Sequence, residues 1–422
     1  MIKMKDSGIP WIGQIPENWE VARVKDFSFL SDKKNTSKDP IVLSLARDAI
    51  KIRDITNNEG QLAKSYDNYC IVKKGDFVLN PMDLYSGANC NVSFVEGVIS
   101  PAYSILKIKN NYDVKLLDYF FKTLYWQMIL YSYGKGVSAD NRWTLTKENL
   151  LNIPLPCPPK EIQQKIVEIL DKKCGQIDEL VRIEENEIEK LKEYKTSLIT
   201  KVVTKGLDPN AKMKDSGIPW IGQIPEDWKI GRLKFYAQIK TGSTPPTNIK
   251  QYFDENINWF TPSDFKNMYL NNSERKIASS FLTDFNITLF PLKTTLLVGI
   301  GATCGKIALI NNEGYCNQQI TAIVASNNID RKFMFYEMSA IQKYLKENAL
   351  YTTLPILNNE YIKNINIIIA DIEIQQQIVD YLDKRCEEID NLIKIKQEKI
   401  EKLKEYKKSL IYQYVTGKKE VV

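Results

Sequence analysis

The feature that most constrains this chain is that it is written twice. Residues 4–19, MKDSGIPWIGQIPENW, return 209 residues later as MKDSGIPWIGQIPEDW, with 15 of 16 positions identical and only Asn18/Asp227 changed. A longer pair, 161–199 and 373–411, lies 212 residues apart and shares 25 of 39 positions. The two offsets differ by three residues, so the intervening segments, about 24–155 and 233–368, are nearly equal in length while having little obvious identity. Repetition at a fixed period means repeated structural units, so two near-identical frames carry two different inserts. A chain of 422 residues with 43% hydrophobic content is long enough for each half to bury its own core.

The first frame element is rich in Gly, Pro and Trp. Pro10 and Pro16 exclude a long helix, and the segment reads as an ordered, aromatic-pinned loop leading into each insert. The second frame element reads as a long helix over 160–204 and again over 372–416. Pro154, Pro156, Pro158 and Pro159 punctuate its start, and Gly206 and Pro209 stop the first copy. Apolar residues follow 4-3 spacing: Leu170, Cys174, Ile177, Val181, then Ile188, Leu191, Leu198 and Val202, with charged interruptions at Glu184 and Lys195. The second copy gives Leu382, Cys386, Ile389, Ile393, Ile400, Leu403, Leu410 and Tyr414, interrupted at Lys396 and Lys407. A period near 3.5 held this long implies a coiled coil. Ile166, Leu180, Ile183, Tyr194 and Ile199 widen the stripe beyond a two-helix seam. Periodicity leaves open whether this extra face meets a partner protein or covers the chain's own domains.

The inserts hold short β-like runs bounded by Gly, Asn, Asp or Pro: PIVLSL, YCIVKKGDFVLN and VSFVEGVISPAYSILKI in the first, ITLFPLKTTLLVGIGATCGKIALINN and YCNQQITAIVA in the second. Helical patches sit between them at 116–133 and 332–346. The shared rhythm predicts one α+β fold with diverged loops. The expected divisions are 1–155 (first box and insert), 156–206 (first helix), 207–368 (second box and insert) and 369–422 (second helix).

Several chemistries are excluded. There is no histidine, which removes Ser-His-Asp and Cys-His catalysis, HExxH zinc sites and histidine bases. Seven cysteines without a CxxC pair argue against a disulfide framework and for a reducing compartment. No apolar run approaches the length that crosses a bilayer, and the reading is a cytoplasmic protein with no membrane partner. NPMDLY at 80–85 approaches the NPP-aromatic loop of adenine methyltransferases but lacks the second proline and the adjacent aromatic. GIGATCGKI at 299–307 approaches a phosphate loop but fails both glycine-rich patterns, and a tight strand-to-strand turn is expected there. Glu193/Lys195 and Glu405/Lys407 have ExK nuclease spacing but fall on the coiled coil. No metal ligand set is read.

What remains is polar, aromatic and basic loop chemistry, the residue types that base edges and phosphates require. In the first insert the candidates are Tyr85, Ser86 and Asn89, with Asn141, Arg142 and Trp143 near its end. In the second they are Lys240, Thr241, Ser243 and Thr244, then Lys266, Thr303 and Lys306, and finally Asn317, Gln318, Thr352 and Thr353. The net charge of +6 allows a polyanionic partner without demanding one.

Together these features resemble the specificity subunits (HsdS) of type I restriction–modification systems over the whole length. The resemblance is carried by the paired SGIPWIGQIPE-x-W boxes, KTGSTPP at 240–246, GATCGKIALI followed by NQQITAI at 317–323, and the proline-rich lead into EIQQKIVEIL with its EIQQQIVDYL partner. It implies two target-recognition domains with β-sheet cores, joined by two long antiparallel coiled-coil helices in an internal pseudo-two-fold duplication. Each domain is then expected to read one half of a bipartite, asymmetric site in double-stranded DNA. The helices are expected to set the spacer and dock two methyltransferase subunits through Leu170, Ile177, Ile188, Leu191 and Leu198 and through Leu382, Ile389, Ile400, Leu403 and Leu410. The resemblance implies no catalytic residue and no cofactor in this chain: S-adenosylmethionine belongs to the methyltransferase subunit, ATP and Mg to a restriction/translocase subunit. A coiled-coil adaptor without DNA readout is the alternative.

Overall fold

The computed structural model describes residues 3–55, 63, 65–82, 84, 89–109, 111–136, 143–253, 256–351 and 354–421. Its helices include α1 (Val114–Trp126), α2 (Lys160–Lys205), α3 (Arg331–Ala340), α4 (Gln342–Glu347) and α5 (Ile372–Val415). The chain forms two compact units, each taking part of both long helices. Unit 1 is Met1–Glu185 with Gln397–Val422, and unit 2 is Asn186–Lys396.

In unit 1 the insert is built on a four-stranded antiparallel sheet in the order Ser28–Leu30, Ser104–Ile108, Phe77–Leu79, Cys90–Val92. Unit 2 repeats that order with Ala237–Thr241, Ile320–Ala325, Thr295–Val298 and Ile307–Ile310, and adds Tyr269–Leu270 in parallel at the far edge. The common fold expected from rhythm alone is therefore present, and 299–306 is the strand-to-strand turn expected there. In both units the chain entering the insert pairs antiparallel with the chain leaving it, Glu20–Arg23 with Pro154–Cys157 and Lys229–Arg232 with Asn366–Ile369. These ladders fasten each insert to its frame.

Each box folds as a hairpin, Met4–Asp6 on Gln14–Pro16 and Met213–Asp215 on Gln223–Pro225. Its tryptophan, Trp19 or Trp228, is buried. In unit 1 the box packs into one core with Leu410, Ile411 and Tyr414; in unit 2 the core holds Leu198, Ile199 and Val202. Gly206 and Gly417 end the long helices at φ +71° and +69°. A Cβ on Gly417 would lie 2.3 Å from Pro16 Cδ, so only glycine lets the helix end sit this close to the box. The helical patch expected at 116–133 is broken after Trp126 by Met128 at φ +58°, and the patch at 332–346 divides into α3 and α4.

In both units the long helices run antiparallel. In unit 1 Asp178 and Glu184 of α2 meet Lys407 and Lys399 of α5. In unit 2 Glu187 and Lys195 meet Lys396 and Asp390. All seven cysteines are free, and all but Cys157 are buried, consistent with small apolar packing residues.

Candidate nucleic-acid interface

Unit 2 brings three loops together that are far apart in sequence. The loop 240–246 lies against 316–319: Gly242 N donates to Ile320 O (3.0 Å), Ser243 N to Cys316 O (3.0 Å), and Thr244 is hydrogen-bonded to Gln318. Gly299 N donates to Gln319 O (2.7 Å), which ties in the third loop. A Cβ on Gly242 would fall 2.0 Å from the Cys316 carbonyl oxygen, so this contact requires glycine. The buried indole of Trp259 donates to Ser243 O (3.1 Å) and fixes the loop from beneath. This leaves Lys240, Thr244, Gln318 and Lys306 exposed on neighbouring loops. Asn317 is buried, and its amide group is spent on Gln319. Thr241 is held by Asn359 at 2.7 Å. Thr303 lies on the 299–306 turn. Lys266 is paired with Glu274 at 2.6 Å.

In unit 1 Asn89 accepts from Asn80 N through its carbonyl (2.8 Å). Trp143, half-buried, stacks on Tyr131 with centroids 5.3 Å apart and donates its Nε1–H to Tyr131 O (2.6 Å). Tyr85, Ser86, Asn141, Arg142, Thr352 and Thr353 lie outside the described residues.

The residues expected to dock a partner have a different placement. Leu170, Ile177 and Leu410 are buried in the core of unit 1, with Leu403 packed against it; Leu198, Leu382 and Ile389 are buried in that of unit 2, with Leu191 packed against it. Ile188 and Ile400 are buried as well. A 4-3 stripe shows that a helix has a partner, not which one, and here the partner is the chain's own second helix. Of the residues widening the stripe, Ile166 and Ile199 are also buried, whereas Leu180, Ile183 and Tyr194 are exposed.

Sequence reasoning missed a clamp that seats each insert on its long helix. In unit 1 Asp171 of α2 receives Lys115 Nζ (2.5 Å) and Tyr119 Oη (2.8 Å) from α1. In unit 2 Asp383 of α5 receives Lys332 Nζ (2.5 Å) and Tyr336 Oη (2.7 Å) from α3. Burial, the largest cause, holds both phenols well above their usual pKa, so they stay protonated donors. Beside the clamp, Gln163 accepts from Asp113 N and Gln375 from Asp330 N, both at 2.7 Å. Their amide groups donate to Pro158 O and Ala370 O. The available signal was the spacing D-x-K-x-x-x-Y, present at Asp113-Lys115-Tyr119 and again at Asp330-Lys332-Tyr336.

A duplicated frame fastened to two inserts of one fold, with polar loops gathered on the second insert, defines a duplicated, two-headed architecture. The profile of the type I restriction modification DNA specificity domain matches residues 16–193 and, a second time, 225–405. The chain belongs to that family. It is similar to the type I restriction enzyme MjaVIII specificity subunit of Methanocaldococcus jannaschii, 27% identical over 96% of this chain and 94% of that one. It is also similar to the EcoR124I/EcoR124II specificity subunit of Escherichia coli, 23% identical over 62% of this chain and 61% of that one. A chain in a solved structure concerned with complex assembly and conformational transition of the type I R-M system superposes with a TM-score of 0.71 at 15% identity, over 95% of this chain and 98% of that one. That likeness is one of fold. Among the described residues no helix is long and apolar enough to cross a membrane.

Proposed function

We propose that this chain is the DNA-reading subunit of a type I restriction–modification complex, in which each insert reads one half of a bipartite, asymmetric site. The observation that carries the reading is the repeated four-strand order on repeated frames with different loops. Equal frames can meet equal partners, while unequal loops read unequal half-sites. The helices set the spacer. Methyltransferase subunits supply S-adenosylmethionine and the methylation chemistry, and a restriction/translocase subunit supplies ATP and Mg chemistry. The chain itself is not catalytic, in keeping with a sequence that has no histidine and no intact cofactor loop.

The helices also offer a repeated face for two copies of one partner. Leu180, Ile183 and Tyr406 are exposed in unit 1, and their counterparts 212 residues away, Leu392, Ile395 and Tyr194, are exposed in unit 2. Each unit thus presents a leucine and an isoleucine from one helix and a tyrosine from the other. Such an apolar stripe beside a satisfied seam suits packing of a further helix.

The test is methylome sequencing of a host carrying this chain with its methyltransferase subunit. One new split motif with two unlike halves is expected. Methylation without sequence preference, or detectable methyl transfer by the lone chain, would overturn the reading.

A further inference from the structure

Unit 2 contains a half-open cavity of about 380 Å³, walled by the 302–306 turn, by residues 339–346 of α3 and α4, and by Thr196 of α2. Lys306, Lys343 and Lys346 line it together with Thr196, Thr303 and Ser339, and no carboxylate does; the Thr196 and Ser339 hydroxyls donate to Lys192 O (3.0 Å) and Phe335 O (2.7 Å), so the lysines are its charged donors. Lys343 has only an exposed contact to Glu347 at 4.0 Å. Lys306 and Lys346 have no ion-pair partner among the described residues. Ala302 and Thr303 of the turn also line the cavity.

The turn is shaped to bring these cations together. Gly305 sits at φ +88°, and a Cβ there would stand 3.3 Å from the backbone nitrogen of Lys346. The glycine lets α4 lie against the turn, which places Lys346 and Lys306 on one cavity. No aromatic ring lines the space, so it offers no platform for stacking a base. Three ammonium groups without a carboxylate in the lining suit a phosphate group. The matching connection in the first insert, 80–89, carries no lysine or arginine in its sequence.

We propose that this cavity is a phosphate site in which Lys306 and Lys346, with Lys343 beside them, hold backbone phosphate flanking the half-site read by unit 2. This assignment rests on the DNA-reading function proposed above. A free polyphosphate presents the same chemistry, and the test separates the two sources.

The test uses the full chain in complex with its methyltransferase subunits and a duplex bearing its methylated motif. Binding is measured across a salt series for the wild type and for Lys306→Ala/Lys346→Ala; both lysines are exposed, so the fold is retained. The expected result is weaker binding to every duplex, an unchanged methylated motif, and a plot of log K against log salt shallower by about 2, the mark of two lost phosphate contacts. In a second arm, inorganic pyrophosphate is titrated into the complex without DNA. Pyrophosphate binding that the variant loses, with the DNA slope unchanged, keeps the phosphate site and assigns it to a free anion. Unchanged slope together with no pyrophosphate binding overturns the site. A wild-type complex without sequence preference would instead overturn the proposed function.

Discussion

Lys195 Nζ lies 2.7 Å from the Asp390 carboxylate, joining α2 to α5 inside unit 2, and unit 1 repeats the contact with Lys407 and Asp178 at 2.6 Å. The second ion pair is repeated with its charges exchanged. Glu184 of α2 meets Lys399 of α5 in unit 1, while in unit 2 Lys396 of α5 meets Glu187 of α2. The charged interruptions of the heptads are thus paired across the helices. Polar residues within a seam penalise other alignments and so set register.

Glu184 is buried and Lys399 more than half exposed, which reduces the energy at stake below that of a fully buried pair. Glu184→Lys is expected to destabilise by about 1–2 kcal/mol, and Lys399→Glu in the same chain to restore part of it. A double-mutant cycle by thermal unfolding checks this; zero coupling would remove the pairing from the account.

Gln375 is fully buried and joins α5 to the backbone at Asp330 and Ala370. Gln375→Leu keeps the volume but strands an N–H and a carbonyl, at about 1–3 kcal/mol each. Unfolding by urea should show a loss of about 2–4 kcal/mol. A loss below about 0.5 kcal/mol would mean that these bonds do not hold the insert on the helix.

Glu337 is buried in α3, and desolvation, countered by a hydrogen bond from Ile368 N, pushes its carboxyl up to about 8 from 4.5. Between those values the folded chain holds a proton that the unfolded chain has lost. Stability should therefore fall as pH rises from about 5 to 8, by at most about 1.4 kcal/mol per unit. Glu337→Gln keeps an acceptor for Ile368 N and removes the titration. Unfolding midpoints across that range should flatten in the variant; parallel curves for both chains would contradict the assignment.

The frames were legible because the chain states them twice. Matching boxes and heptads marked the elements, and Gly206 marked a helix end. The insert fold was legible as rhythm, because runs rich in Val, Ile and Phe between turn residues survive divergence. The clamp was not, since Lys115 and Tyr119 lie in an insert while Asp171 lies in a frame, and no local pattern links them. Gln163 and Gln375 stood inside a recognised repeat, yet only coordinates show that they accept from Asp113 and Asp330. The hydrogen bond of Trp143 to Tyr131 joins residues twelve apart in sequence, and no local pattern announces it. Heptad spacing likewise could not show that Leu191 and Leu403 face the chain's own cores.

That placement separates two kinds of helix variant. Leu191→Asp with Leu403→Asp puts charge against the unit cores and should destabilise the chain itself. Leu180→Asp/Ile183→Asp changes exposed residues, leaves the unfolding midpoint within a few degrees, and should reduce co-purifying methyltransferase from two copies to one. Adding Leu392→Asp/Ile395→Asp should remove the second. Full stoichiometry in the fourfold variant, measured by native mass spectrometry, would move the dock elsewhere.

In the proposed function the frames are shared and the inserts read. Replacing residues 24–155 with the corresponding insert of a relative, while keeping the strand Glu20–Arg23 that the end of the insert pairs with, separates the two. The methylated motif of the chimera should change in one half only, with the other half and the spacer length retained. A motif altered in both halves, or altered in neither, would contradict the account.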